Sequence, residues 1–100
     1  MQKTTKETVF RGDVVEVVRW VGVTPDSPGE EYLCQAFEAN LAQVEGGPFG
    51  RVVLEGNCGG PWEPIAWFVM PCAKQLSSGM VWIRPRVEGG IATVYLIVRR

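Results

Sequence analysis

Residues 51–65 read RVVLEGNCGGPWEPI, a β-branched run broken by a glycine-rich turn and resumed at a tryptophan. Val52, Val53 and Leu54 suit an extended backbone, the stretch Gly56 to Gly60 tolerates the positive φ of a tight reversal, and Trp62 can pack back on the strand. The segment predicts a hairpin, and it lacks the strand–loop–helix setting and the GKS or GKT letters of a phosphate loop. The same signals recur where MVWIRPRV and IATVYLIVRR flank Glu88-Gly89-Gly90, so a second hairpin is expected there. Together they predict an all-β fold, a small antiparallel β-sandwich or barrel.

A chain of 100 residues, 46% of them hydrophobic, buries roughly 60–70% of its unfolded surface, enough for one core and not for two. Its 10 basic and 11 acidic residues leave a net charge of −1, so no positive field gathers nucleic-acid phosphates or anionic lipid. No apolar run approaches the roughly 18 residues of a spanning helix, and the opening MQKTTKETVFRGD is polar where a secretory signal is apolar. Nucleic acid and membrane are therefore not expected as partners, and synthesis in a cytosol is. Cys34, Cys58 and Cys72 are odd in number and widely spaced, which fits neither a disulfide framework nor a paired-cysteine zinc site. They read as free thiols, with Cys58 in the turn the most exposed, and no metal is expected.

Residues 1–8 carry no periodic apolar face and predict a flexible N-terminal arm ahead of a single sandwich domain at 9–100. Val14 to Val23 is a strand whose Val15, Val17 and either Trp20 or Val21 are candidates for the core, with Gly22 marking a bulge or an end. Thr24 to Gly29 has the letters of a projecting loop. Residues 30–45 fit two periods: Leu33, Phe37, Leu41 and Val44 recur at helical spacing behind a capping-box-like start, while Leu33, Phe37, Ala39 and Leu41 share one strand face. Ile65 to Met70 is nearly continuous in apolar residues and reads as a strand covered on both faces. Val81, Ile83 and Val87 alternate with Trp82, Arg84 and Arg86, and Ala92, Val94, Leu96 and Val98 with Thr93, Tyr95 and Ile97. Pro85 lacks an N–H, so its strand is expected at an edge or to bulge there.

Catalysis finds little to work with. With no histidine in the chain, serine–histidine and cysteine–histidine pairs are excluded along with the commonest general base. Asp13 and Asp26 sit among turn residues, where capping or solvation is their ordinary use. Glu55 and Glu63 face one another across the predicted hairpin, as in a glycosidase carboxylate pair, but two solvated strand-end glutamates are the simpler reading. Four tryptophans are many for this length. Most should serve the core, and a surplus beside Arg84 and Arg86 is the mixture enriched at protein contacts. The candidate interface is therefore Trp20, Trp62, Trp82, Arg84 and Arg86.

The order VVLEGN, glycine turn, WEPI, a further strand and a closing VWIRPRV, EGG, ATVYLIV resembles the small β-sandwich proteins of tailed-bacteriophage virions, whose strands carry an EGS-DG-x-W turn followed by W-x-R and GG-x-x-x-V strands. The resemblance runs from about Phe37 to Arg100, with Asn57-Cys58-Gly59 standing where those turns have Ser-Asp-Gly. It implies an accessory structural module of capsid, neck or tail, above all a decoration or cement protein. Such a protein is a homo-oligomer of the virion, made in the host cytoplasm, that contacts itself and a capsid or other virion protein and has no catalytic residue or cofactor. Related sandwiches are discoidin-like and carbohydrate-binding modules, so sugar binding in a fibre or secreted enzyme is the alternative. The resemblance also selects strand over helix from about Cys34 to Val44.

Thiol titration in denaturant without reductant is expected to return all 3 cysteines; a smaller count would establish a disulfide and overturn the cytosolic expectation.

Overall fold

The computed structural model describes residues 5–34, 39–46, 50–69, 72–75 and 81–99. Nine strands lie among them: β1 (Thr5–Arg11), β2 (Val15–Val23), β3 (Tyr32–Cys34), β4 (Ala39–Glu45), β5 (Val52–Asn57), β6 (Glu63–Phe68), β7 (Cys72–Gln75), β8 (Val81–Val87) and β9 (Ala92–Arg99). They form a five-stranded sheet in the order β1-β2-β9-β4-β7 and a four-stranded sheet in the order β3-β8-β5-β6, every pair antiparallel. The expected all-β sandwich is thus present, and residues 39–45 are strand, although 35–38, with Phe37, lie outside the described residues.

The core is built from alternate residues of each sheet. Val18, Trp20, Ala42, Val44, Val94, Leu96 and Val98 of the larger sheet meet Cys34, Val52, Leu54, Phe68, Ile83 and Val87 of the smaller. The alternations read in β8 and β9 hold, with Val81's side chain outside the described ones. Of the core candidates in β2, Trp20 is buried, with Glu16 and Val18 on its side of the strand, whereas Val15, Val17 and Val21 are only half-buried. Valine stands on both sides of that strand, so its letters carry no period. In β4 the buried positions are Ala42 and Val44, not the Leu41 face, and Leu33 of β3 is exposed.

The hairpin expected at Arg51 to Ile65 forms as β5–β6. The second expected hairpin does not, because β8 lies in the smaller sheet and β9 in the larger. Glu88 to Gly90, with Gly90 at φ 74°, carries the chain from one layer to the other, and the Glu88 N–H donates to the Arg51 carbonyl at 2.8 Å. Reversal of direction is common to hairpins and to such arches, so glycine turns alone do not distinguish them. Gly22, at φ 79°, does mark a bulge, where the β2–β9 register shifts between Trp20 and Val23.

β6 is an edge strand, with Ile65 and Trp67 exposed and only Phe68 fully buried, contrary to a strand covered on both faces. Pro85 sits in an internal strand, paired with Leu54 of β5 on one side. It is tolerated because β3 is three residues long and meets only Val81 to Ile83, so no ladder partner is owed its missing N–H. The expected arm is divided: residues 1–4 lie outside the described residues, while Thr5 to Thr8 pair with Val21 to Val18 as part of β1. Ladder bonds run through the main chain and do not require the apolar face these residues lack.

The loop after β2 exposes Pro25, Asp26 and Pro28 and is tied back to the sandwich at its end, where Gly29 is buried. Thr24 and Ser27 close a tight turn, and the Gly29 N–H then donates to the Pro85 carbonyl at 2.9 Å. A Cβ at Gly29 would stand 2.4 Å from the Pro85 ring and 2.7 Å from Trp20 Cδ1. Trp20, fully buried, donates its Nε1–H to the Glu30 carbonyl at 2.6 Å. Gly29→Ala is expected to cost about 1–3 kcal/mol by overpacking, whereas Gly60→Ala, with nothing within 4 Å, should stay within about 0.5 kcal/mol. Urea unfolding of the two variants measures this, and equal effects would refute the close approach.

Candidate functional site

On β8 the inward turn of Ile83, Pro85 and Val87 sends Trp82, Arg84 and Arg86 to the outer face of the smaller sheet. Register sets each beside a β5 residue: Trp82 by Asn57, Arg84 by Glu55 and Arg86 by Val53. Glu55 is 7% exposed on that face, which only close pairing makes tolerable. Arg84 Nε donates to its Oε1 at 3.0 Å and Arg86 Nε to its Oε2 at 3.1 Å. The network continues through Glu88, whose Oε2 accepts from Arg86 Nη1 at 3.2 Å and whose Oε1 accepts from Arg51 Nε at 2.6 Å. Arginine and glutamate thus alternate from Arg84 to Arg51, with each carboxylate shared by two guanidinium groups.

Aromatic rings frame this network. Trp62, in the β5–β6 turn, lies over Arg84 with the guanidinium carbon 4.3 Å from the ring centre, a cation–π contact that fixes both side chains. Trp67 of β6 stands beside Val53, and Trp82 beside Leu33 of β3. Each of these two tryptophans is 42% exposed. Val53 between Trp67 and Arg86 is nonetheless fully buried on this outer face, consistent with cover from their long side chains.

Of the residues singled out from sequence, Trp62, Trp82, Arg84 and Arg86 come together here. Trp20 does not, because it fills the core. The considered Glu55–Glu63 carboxylate pair does not form either: Glu55 is opposite Pro64 and held by arginines, while Glu63 is opposite Gly56 and exposed. Sequence reading missed Arg51, Trp67 and Glu88, and Glu55 as the centre of the network. Their meeting depends on β5 pairing with β8 across some thirty intervening residues, a separation that no local period encodes.

Two groups here are electrostatically displaced. Burial lowers the Arg86 guanidinium, but hydrogen bonds to Glu55 and then Glu88 outweigh it and leave Arg86 above the ordinary arginine value. Arg51 holds the Glu88 carboxyl below its ordinary value, with desolvation opposing and Arg86 assisting. The chain has no histidine, and the described residues include no group of three His, Cys, Asp or Glu able to hold a metal ion. Cys34 and Cys58, buried and exposed respectively, are thiols outside any disulfide, and the Cys72 side chain lies outside the described ones.

No protein-family profile and no curated protein matches the chain. Among solved structures, it is similar to a cupin domain from Bordetella pertussis, with a TM-score of 0.54 and 13% identity over 100% of this chain and 99% of that one. A protein of Thermus thermophilus aligns at a TM-score of 0.48 and 16% identity, over 97% of this chain and 82% of that one. At such identity the likeness to the cupin domain is one of fold, a two-sheet antiparallel sandwich.

Because Glu88 is held low in the fold, its contribution to stability is present above the ordinary carboxylate value of about 4.3 and is lost as pH falls through its folded value. Carboxyl NMR titration should find Glu88 below the ordinary range and should return it upward in Arg51→Gln. An unchanged titration in that variant would separate Glu88 from Arg51.

Proposed function

We propose that this chain is a non-enzymatic protein-binding module whose working surface is the outer face of the smaller sheet. Its setting follows from the sequence resemblance: a tailed-phage virion in which it decorates or cements the shell as a homo-oligomer. The observation that carries the reading is half-exposed Trp67 and Trp82 flanking arginines already ion-paired with Glu55 and Glu88. Tryptophan and arginine are the side chains on which binding energy concentrates at protein contacts. Guanidinium groups held by shared carboxylates, one stacked on Trp62, lose little further freedom on docking.

The absence of histidine from the sequence and the clamping of Glu55 by two arginines support a non-catalytic role. The fold is compatible with the virion reading without favouring it, since two-sheet sandwiches serve capsid, lectin and cupin domains alike. The carbohydrate alternative draws on the same two indole rings, whose open faces suit stacking on sugars.

Light scattering and sedimentation of the wild type and of Trp67→Ser and Trp82→Ser test the proposal. The wild type is expected to self-associate and both variants to move toward monomer, while their unfolding changes by less than about 1 kcal/mol, as expected of surface positions. A wild type that stays monomeric at high concentration would overturn self-association through this face, and saturable binding on a glycan array lost in the same variants would establish the carbohydrate alternative.

A further inference from the structure

The flank of the sandwich where β1 and β2 face β3 holds a second feature, separate from the tryptophan face. Lys6 stands opposite Trp20 and Thr8 opposite Val18 on the inward side of the larger sheet. Glu16 is buried on the same side of β2, at a position where the alternation with Val18 and Trp20 would suit an apolar residue. Tyr32 of β3 faces them from the other sheet. With Val18 they line a cavity of about 240 Å³. At ~30 Å³ per water this holds about eight waters, room for a molecule of about six to eight heavy atoms.

The chemistry of the lining is two-sided. Lys6 Nζ donates to the Glu31 carbonyl at 3.1 Å and lies 5.8 Å from the Tyr32 ring centre, and an ammonium group with three donors keeps capacity after one bond. The hydroxyls of Thr8 and Tyr32 add donors. Glu16 is the acceptor of the set, and a carboxylate, even when bonded, has several lone-pair sites. Glu7 lies at the rim, but its carboxylate is engaged by Arg19.

We propose that this cavity binds a small carboxylate that also carries a hydroxyl or amine donor: its carboxylate meets Lys6 with Thr8 and Tyr32, and its donor meets Glu16. The inference does not rest on the docking function, because the two surfaces share no residue and each fails by its own measurement.

Amide NMR titration of the full chain tests it, with L-lactate and L-alanine as probes and propionate and ethylammonium as analogues lacking one end. Lactate or alanine should shift β1, β2 and Tyr32 amides saturably. Propionate and ethylammonium should bind at least about tenfold more weakly, the equivalent of one lost hydrogen bond to a charged group. Lys6→Met, on an edge strand whose ladder is main-chain, should abolish binding while the remaining spectrum is retained. Glu16→Gln should bring lactate and propionate together, and Trp82→Ser should change nothing. Absence of saturable shifts with both lactate and alanine, propionate binding as tightly as lactate, or full binding by Lys6→Met would each overturn the proposal.

Discussion

Trp20 is the side chain around which the two sheets are assembled. It belongs to the larger sheet, yet its indole N–H is satisfied by Glu30, in the segment leading into the smaller one, and its ring lies close enough to Gly29 to exclude any side chain there. A buried indole without such a partner would forfeit the hydrogen bond it makes with water in the unfolded chain. Its position thus dictates the path of the loop, and the loop path in turn presents Gly29 to the Pro85 carbonyl. Truncating a buried tryptophan of this kind typically costs about 3–5 kcal/mol, and here the loss would reach both layers and their connection.

Outside the core that Trp20 organises, the two outer faces of the sandwich are unlike. Across the larger sheet a polar chain runs from Glu7 through Arg19 to Tyr95, whose hydroxyl donates to Glu45 at 2.6 Å. That hydrogen bond, with desolvation, raises the Tyr95 phenol above its ordinary value against the opposing pull of Arg19. The smaller sheet instead sets tryptophans around arginines. A solvated ladder on one side and an aromatic, ion-paired face on the other give the molecule an orientation that its fold alone does not supply.

What was legible in the sequence was what is local. The β5–β6 hairpin needs only one strand, one glycine turn and its return, and it formed as read. The inward faces of β8 and β9 followed from strict alternation, but their placement in different sheets did not, because Glu88-Gly89-Gly90 permits either a ladder or an arch. In β2 the letters point to Trp20 as a core candidate but also to Val15 and Val17 on the other face, since valines occupy both faces and the inward Glu16 disguises the period. Arg84, Arg86 and Trp82 were grouped by adjacency in one strand. Glu55 was seen only beside Glu63, since its true neighbours arrive through pairing of β5 with β8.

The position of β9 has a consequence for the order in which the molecule can come into being. It lies at the centre of the larger sheet, bonded to β2 on one side and β4 on the other, and it follows every other described strand along the chain. During synthesis β1 can pair with β2 and β4 with β7, but each two-stranded ribbon is marginal alone and shows an open edge to water. The nascent chain must therefore carry unpaired edges until Ala92 to Arg99 has left the ribosome, and the step that joins the ribbons also supplies Val94, Leu96 and Val98 to the core. The joining of the two ribbons thus waits on the last of the described strands to be made, and the chain that still lacks β9 is open to wrong pairing.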